Sequence, residues 1–334
     1  MSRAAETLAS IPLATLSIMS LCILTYLYQM AFDPNLQEYT MCPRLVLYLH
    51  EYYRFITSAL FHGSLMHIGM NMMSTMAIGT SLENRVGTFT MGLTILWGIL
   101  LTSSIYTATS WLMYVIFGYE KMMYQHSLGF SGVIFQLSVL ESNLSPNRTR
   151  SVFGVFQVSS KMYPWALLVV LQFVMPHISF LGHLSGILLG TLQLHGVLDI
   201  VFPSDAYLQH LETWEALERI TSKPGFVRMP ESGSPLRNVS RGAGGLLPAI
   251  VGAFGAFIQF VLNVCETIKF AVFGRGAAAN ENIQLPALSA VWGSSDNATM
   301  GVGSSDNIND IYDDEAAGLP TIEDTARAER SGLL

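Results

Sequence analysis

Residues 163–200 read YPWALLVVLQFVMPHISFLGHLSGILLGTLQLHGVLDI, an almost continuous apolar stretch. A helix that crosses a membrane needs about 20 apolar residues, so this stretch is long enough for two. The segment Pro176-His177-Ile178-Ser179 interrupts it, and proline ends a helix because it lacks a backbone donor. The stretch therefore predicts two membrane helices joined by a very tight turn.

The rest of the chain has the same apolar character. Of its 334 residues, 51% are hydrophobic and only 12% are charged, and the mean hydropathy is +0.41. A soluble domain carries about 25% charged residues. Four further spans are predicted at residues 11–30, at 64–81, within 89–114, and from 128 to just before Glu141. The composition thus predicts an all-α membrane protein with a six-helix transmembrane bundle.

The sequence predicts five segments. They are a short N-terminus (1–10), a six-span domain (11–202), a linker (203–245), a second apolar stretch (246–273) and an acidic tail (274–334). Large apolar residues recur three apart in the linker and predict an amphipathic helix over 208–220. The second apolar stretch is either a seventh span or an interfacial helix. The tail is rich in glycine and serine, and we expect it to be disordered.

The charges beside the spans predict the orientation of the chain. Lysine and arginine are modestly enriched in the loops on the side of the N-terminus, which indicates that this side is cytosolic. The first apolar run, 11–32, is too long for a signal-peptide core and lacks a clear cleavage site, so we expect a retained signal anchor. The few residues before it do not form an arginine-rich transit peptide. The secretory pathway (ER or Golgi) is therefore favoured over mitochondria.

Several classes of protein are disfavoured by the composition. The cysteines Cys22, Cys42 and Cys265 are scattered and odd in number, so neither a disulfide framework nor a zinc site is indicated. The formal net charge of −7 does not suit a nucleic-acid-binding protein. We expect no metal and no organic cofactor. The sequence leaves the oligomeric state open.

Two short motifs, Gly129-Phe130-Ser131-Gly132 and Gly182-His183-Leu184-Ser185-Gly186, place a serine and a histidine inside apolar runs. A serine hydroxyl is a weak nucleophile without a base, and neutral imidazole is the usual base. Glycines recur every four residues from Gly182 to Gly190, and small residues let helices approach closely in lipid. If this face meets Gly129 and Gly132, His183 can reach Ser131. The alternative is a packing serine and a structurally satisfied histidine.

A second polar pair lies at a matching depth in another span. His67 and Asn71 are one helical turn apart, and both side chains can donate hydrogen bonds. A tetrahedral intermediate needs such donors at its oxyanion. The alternative is a pair of interhelical hydrogen bonds. For the nearby His62 the sequence favours a structural or water-holding role.

Three segments together resemble the rhomboid intramembrane serine proteases. The first is RFITSALFHGSLMHIGMN, from Arg54 to Asn71; the second is the GFSG motif; the third is GHLSGILLG, from Gly182 to Gly190. Their order, spacing and placement in predicted spans match that family over roughly residues 11–202. The resemblance is greatest to small eukaryotic rhomboids with a cytosolic N-terminus.

The resemblance implies a role for each motif residue. Ser131 would be the nucleophile and His183 its base, while His67, Asn71 and the Ser131 amide would bind the oxyanion. Gly129 and Gly132 would support the nucleophile. Two positions depart from the family pattern, which often has Trp-Arg in the first outer loop and tyrosine one turn after the nucleophile. Here these positions hold Tyr53-Arg54 and Phe135, which can stack on the histidine but lacks the hydroxyl.

The expected function is therefore an intramembrane serine endopeptidase. It would cleave membrane-anchored proteins near the outer or lumenal end of their transmembrane segments, so its partners would be those substrates and the lipid bilayer. The alternative is a catalytically silent rhomboid-like protein that binds membrane clients in trafficking or quality control. A transporter is disfavoured because no charged residue lies deep in the predicted spans.

Overall fold

The computed structural model describes residues 10–175 and 178–242, and this part of the chain is mostly helical. Its six longer helices are α1 (Leu13–Phe32), α4 (Leu65–Val86), α5 (Thr88–Phe117), α7 (Ser131–Leu144), α8 (Tyr163–Val174) and α9 (Phe180–Leu194). Shorter helices are α2 (Pro43–Tyr48), α3 (Arg54–Leu60), α6 (Lys121–Tyr124), α10 (Asp205–Thr213), α11 (Glu218–Thr221) and α12 (Pro235–Gly242). Every predicted span falls on one of the six longer helices.

Two of the described helices, α1 with 20 residues and α5 with 30, are long and apolar enough to cross a membrane by length and composition. Helices α8 and α9 are apolar but shorter, with 12 and 15 residues. Helix α7 has 14 residues and lies at the centre of the fold, since its side chains from Val133 to Ser142 are all buried. It packs against α9, α4, α5 and α8.

A β-hairpin connects α7 to α8. Its strands, β1 (Thr149–Val152) and β2 (Phe156–Ser159), pair antiparallel, with Thr149 opposite Ser159. Phe153 and Gly154 in the turn have φ angles of +48° and +75°. Two successive positive φ angles are typical of the tight hairpin turn whose twist matches that of the strands.

A buried carboxylate joins three of the longer helices. Glu83, near the end of α4, is fully buried, and its two oxygens accept hydrogen bonds from the Ala14 and Thr15 amides at 2.9 and 2.7 Å. The hydroxyls of Thr15 and Thr88 donate to it at 2.7 Å each. Because the first amides of a helix have no partner within the helix, a carboxylate there both satisfies them and complements the helix dipole. The hydrogen bonds of Glu83 thus join the start of α1 to α4 and α5.

Two predicted helix ends are wrong, and in both cases a buried acidic side chain lies beyond the predicted end. The fourth span was expected to end before Glu141, but α7 continues to Leu144. Glu141 is buried within it because its carboxylate pairs with Arg150 at 2.5 Å and accepts a hydrogen bond from Ser81 at 2.9 Å. Helix α4 likewise passes the expected end at Ser81 and reaches Val86. Both helices therefore extend past their predicted ends because each added segment buries an acidic side chain that has hydrogen-bond partners.

The single amphipathic helix expected over 208–220 is also wrong. Helix α10 ends at Thr213, and Trp214 is extended with φ −74° and ψ 122°. The apolar residue Leu208 is buried, and buried Glu212 accepts a hydrogen bond from the Met229 amide at 2.9 Å. The helix therefore packs on its own chain. The predicted N-terminus up to residue 9, the turn residues 176–177, and the predicted segments at 246–273 and 274–334 lie outside the described residues.

Replacing Glu83 by alanine should lower the free energy of unfolding by about 3 kcal/mol or more, because it leaves buried donors without an acceptor. Unfolding in mixed micelles by a titration with dodecyl sulfate measures this. Glu218→Ala removes an exposed carboxylate and should change the same free energy by no more than about 0.5 kcal/mol. Equal effects of the two variants would contradict the conclusion that the Glu83 hydrogen bonds stabilise the bundle.

Candidate active site

The turn before α7 sets the position of Ser131, which is the first residue of that helix. Gly129 has a φ angle of +110°, and its amide donates to the Ser58 carbonyl at 2.7 Å. A Cβ atom on Gly129 would lie only 2.6 Å from His67 Cε1. Glycine is therefore required here both by the backbone conformation and by the approach of the His67 ring. Amides in the first turn of a helix have no intrahelical acceptor, and Ser131 lies in that turn.

Helices α7 and α9 meet backbone to backbone. A Cβ atom on Gly186 would lie 1.9 Å from the Gly132 carbonyl oxygen, and one on Gly190 would lie 2.9 Å from the Gln136 carbonyl oxygen. From the other side, a Cβ atom on Gly132 would lie 3.2 Å from the Gly182 carbonyl oxygen. The glycine stripe thus packs against the start of α7, and no side chain of any size fits between the two helices.

This contact places the serine and the histidine within hydrogen-bond distance. His183 Nε2 lies 2.8 Å from Ser131 Oγ. The imidazole is buried, and the Phe135 ring lies against it with centroids 4.6 Å apart and planes at 30°. Within residues 10–175 and 178–242 the other ring nitrogen, Nδ1, has no hydrogen-bond partner. The geometry is therefore that of a two-residue pair, with an aromatic ring holding the orientation of the imidazole.

His67 and Asn71 lie on the other side of the same turn. The nearest atoms to a Cβ atom placed on Gly129 are His67 Cε1 and Nε2, at 2.6 and 2.7 Å, and Asn71 Nδ2, at 3.5 Å. The Asn71 amide nitrogen is buried and has no hydrogen-bond partner among the described residues. A buried donor without an acceptor costs free energy, so the Asn71 amide nitrogen is free to donate to a group that enters beside the serine turn.

His62 contacts the backbone of the serine turn. Its Nδ1 lies 3.0 Å from the Leu60 carbonyl, and its Nε2 lies 3.5 Å from the Phe130 amide. Burial first, and then the neighbouring His67, lower the pKa of His62 to about 4. The ring is therefore neutral at physiological pH, so Nδ1 donates to the carbonyl and Nε2 can accept from the amide. Its contacts are those of a residue that supports the turn.

Arg54 organises the first outer loop. It is buried, and its Nη1 donates to the carbonyls of Gln37 and Thr40 at 2.6 and 2.7 Å. Its Nε donates to Glu51 at 2.6 Å. These hydrogen bonds join the segment after α1 to the start of α3, and none of them reaches the serine turn.

A hydrogen-bonded pair of glutamines, farther along the bundle than Ser131, was not predicted from the sequence. Gln136 Nε2 donates to Gln193 Oε1 at 2.8 Å, and Gln193 Nε2 donates to Thr94 Oγ1 at 3.3 Å. Both glutamines are buried, and they link α7, α9 and α5. The available signal was the presence of two amides inside apolar runs, where polar groups require partners.

The residues that the structure describes contain no group of three or more His, Cys, Asp or Glu side chains that could hold a metal ion.

The known proteins to which this chain is similar belong to one family. The Rhomboid domain model matches residues 49–198. Rhomboid-like protein 15 of Arabidopsis thaliana is 32% identical over 237 residues, which are 68% of this chain and 57% of that protein. Rhomboid-like protein 14, mitochondrial, of the same plant is 30% identical over 187 residues, 55% of each chain. Rhomboid-related protein 4 of Mus musculus is 33% identical over 148 residues, 44% of this chain and 47% of that protein. The chain thus spans about half the length of these curated relatives.

The contact between α7 and α9 can be tested with Gly186→Ala. The added methyl group would collide with the Gly132 carbonyl, which cannot move without moving the helix. We expect a loss of about 3 kcal/mol in the free energy of unfolding, measured in the same mixed micelles. Gly92→Ala is the matched control, since a Cβ atom there meets nothing within 4 Å. It should be neutral or stabilise by up to about 1 kcal/mol. A Gly186 variant as stable as the control would contradict the backbone contact.

Proposed function

Since the chain belongs to the rhomboid family, we propose that it is an intramembrane serine endopeptidase in which Ser131 attacks the peptide bond and His183 is the base. The distance of 2.8 Å between Ser131 Oγ and His183 Nε2 carries this proposal. It is within the range in which a hydroxyl donates to a neutral imidazole and becomes a nucleophile.

The proposed placement in the membrane has the six longer helices crossing the bilayer. Ser131 is the first residue of α7, His67 the third of α4 and His183 the fourth of α9. Their side chains meet at one end of the bundle, so they share a depth near one surface. A site at that depth can receive water from outside while the rest of the bundle remains in lipid. By the distribution of basic residues this is the outer or lumenal side.

In the first half of the proposed reaction, Ser131 Oγ attacks the carbonyl carbon while its proton passes to His183 Nε2. The carbonyl oxygen becomes an oxyanion, which Asn71 Nδ2, His67 and the Ser131 amide would stabilise. The Asn71 amide nitrogen, buried and without a partner in the described part of the chain, supports this assignment. The imidazolium then gives its proton to the leaving amine, and the carbon–nitrogen bond breaks.

In the second half, water attacks the ester on Ser131 and His183 takes up the water proton. The proton returns to Ser131 Oγ as the ester bond breaks, which releases the acid product and restores both residues. No Asp or Glu is needed as a third member. A carboxylate buried beside His183 would have to be desolvated, and the Phe135 ring already orients the imidazole.

The proposed substrates are membrane-anchored proteins. A peptide bond can reach Ser131 only after leaving its helix, and unpairing backbone groups in hydrocarbon costs several kcal/mol each. Substrates should therefore carry glycine, serine or proline near the outer end of the transmembrane segment. The close approach of His67 to Gly129 leaves a narrow space, which favours small side chains beside the cleaved bond.

The proposed compartment is the secretory pathway. The apolar helix α1 has 20 residues, which is the length of a signal anchor. One relative carries the word mitochondrial in its name, so fluorescence microscopy against markers of both compartments is the deciding measurement.

The nucleophile is tested by a fluorophosphonate probe, which labels activated serines. The purified full chain should be labelled, and Ser131→Ala and His183→Ala should each abolish labelling and cleavage. Ser138→Ala is the matched control, since it removes a buried hydroxyl from the same helix and should leave labelling intact. Because the two residues act as a unit, the double variant should be no worse than either single variant. A folded wild-type chain that is never labelled would instead support the silent client-binding protein.

The oxyanion site is tested by Asn71→Ala. Removing one donor to an oxyanion costs about 10²–10³ in rate, so cleavage of a membrane-anchored reporter should fall by that factor while the probe still labels Ser131. Asn143→Ala is the control, because that amide donates to the Val139 carbonyl at the far end of α7. If Asn71→Ala kept the full rate of cleavage, its amide would be a packing group only.

A further inference from the structure

A cavity of about 370 Å³ lies at the end of the bundle away from Ser131. Glu141 in its wall is ten residues after Ser131, which is about 15 Å along α7. The cavity is formed where α4 and α7 end and α8 begins, and the β-hairpin closes one side of it. Its polar lining consists of Ser81, Arg85, Glu141, Ser145, Asn147 and Arg150.

The charge of the lining is positive. Arg150 is paired with Glu141 at 2.5 Å. Arg85 donates through Nη1 to the Leu144 carbonyl at 2.8 Å, and in the described part of the chain it forms no ion pair with a carboxylate. Two guanidinium groups thus face one carboxylate. The hydroxyl of Ser145 and the amide of Asn147 add neutral hydrogen-bonding groups beside Arg85.

The β-hairpin beside the cavity has the composition of a membrane interface. Its tip exposes 59% of Phe153, 80% of Val155 and 41% of Phe156. Its base carries the exposed residues Arg148 and Lys161. An apolar tip flanked by basic residues is suited to the boundary between acyl chains and headgroups. Both ends of the hairpin also connect within a few residues to apolar helices, so it cannot lie far from the membrane surface.

We propose that this cavity binds the phosphate group of an anionic phospholipid headgroup from the leaflet opposite Ser131. Arg85 would donate to the phosphate oxygens, and Ser145 and Asn147 would contact the remainder of the headgroup. The proposal rests on the placement of the six helices across the bilayer and is independent of catalysis by Ser131. Free inorganic phosphate has the same chemistry, so the source of the phosphate must be distinguished.

The test is equilibrium binding of radiolabelled phosphatidylglycerol to the purified full chain in mixed micelles of dodecyl maltoside and phosphatidylcholine. Salt at about 0.5 M screens exposed charges. Arg85→Gln should weaken binding by about tenfold or more, as expected for a charge-assisted hydrogen bond. Arg148→Gln, which removes an exposed charge at the hairpin base, should weaken it by less than about twofold under this screening. Equal losses in the two variants would overturn the site in favour of diffuse surface attraction.

A second pair of variants keeps the test informative if Arg85→Gln does not fold, as judged by its thermal unfolding. Ala77→Phe fills the mouth of the cavity from α4, whereas Met73→Phe alters an exposed position one turn away that does not line it. Of these two variants, only Ala77→Phe should abolish binding of the lipid. Displacement of the lipid by millimolar inorganic phosphate would support recognition through the phosphate group, whereas binding of phosphate without retention of lipid would overturn the lipid assignment. Probe labelling of Ser131 is read separately, so its failure would count against the protease and not against this site.

Discussion

The direct contact between the backbones of α7 and α9 is the constraint on which the rest of the bundle depends. The Gly186 backbone lies so close to the Gly132 carbonyl that no Cβ atom fits between them. Association of helices in lipid depends on such close packing and on interhelical hydrogen bonds, because lipid chains are as apolar as the side chains. The buried Gln136–Gln193 pair adds a directional bond to the same interface. Because Ser131 and His183 lie on these two helices, the packing of the interface also sets the geometry of the pair.

The end of the bundle opposite Ser131 is held by a different kind of interaction. There Glu83 accepts hydrogen bonds from the start of α1 and from Thr88, and Glu141 pairs with Arg150 of the hairpin. The linker adds to this end, since the carbonyls of Gly225 and Val227 accept from the amides of Leu13 and Thr88 at 2.8 Å each. The first amides of two helices are thereby satisfied by side chain and backbone together.

Much of the site could be predicted from the sequence because its signals are local. The glycines beside Ser131 and His183 and the one-turn spacing of His67 and Asn71 can be seen within a few residues, and the family resemblance that they carry is confirmed by the Rhomboid domain match. The ends of α4 and α7 could not be predicted, because the partners that allow Glu83 and Glu141 to be buried lie outside these residues' own helices, on other helices or in the β-hairpin. Glu83 and Thr15, for example, are 68 residues apart. The break after Thr213 was missed because the three-residue spacing of apolar side chains continues through Trp214 and Leu217, and this spacing does not show where a helix ends.

The unequal lengths of the helices have a consequence for the surrounding membrane. Helix α5 rises about 45 Å, whereas α7, α8 and α9 rise only about 21, 18 and 22 Å. A typical hydrocarbon core is about 30 Å thick. In the proposed placement of the six helices across the bilayer, the side of the protein formed by α8 and α9 would be shorter than the lipid around it, and thinning of the bilayer there would relieve the hydrophobic mismatch. Lipid composition would then set how deeply headgroups and water descend along that side, and bilayer thickness would act on the serine turn without any ligand.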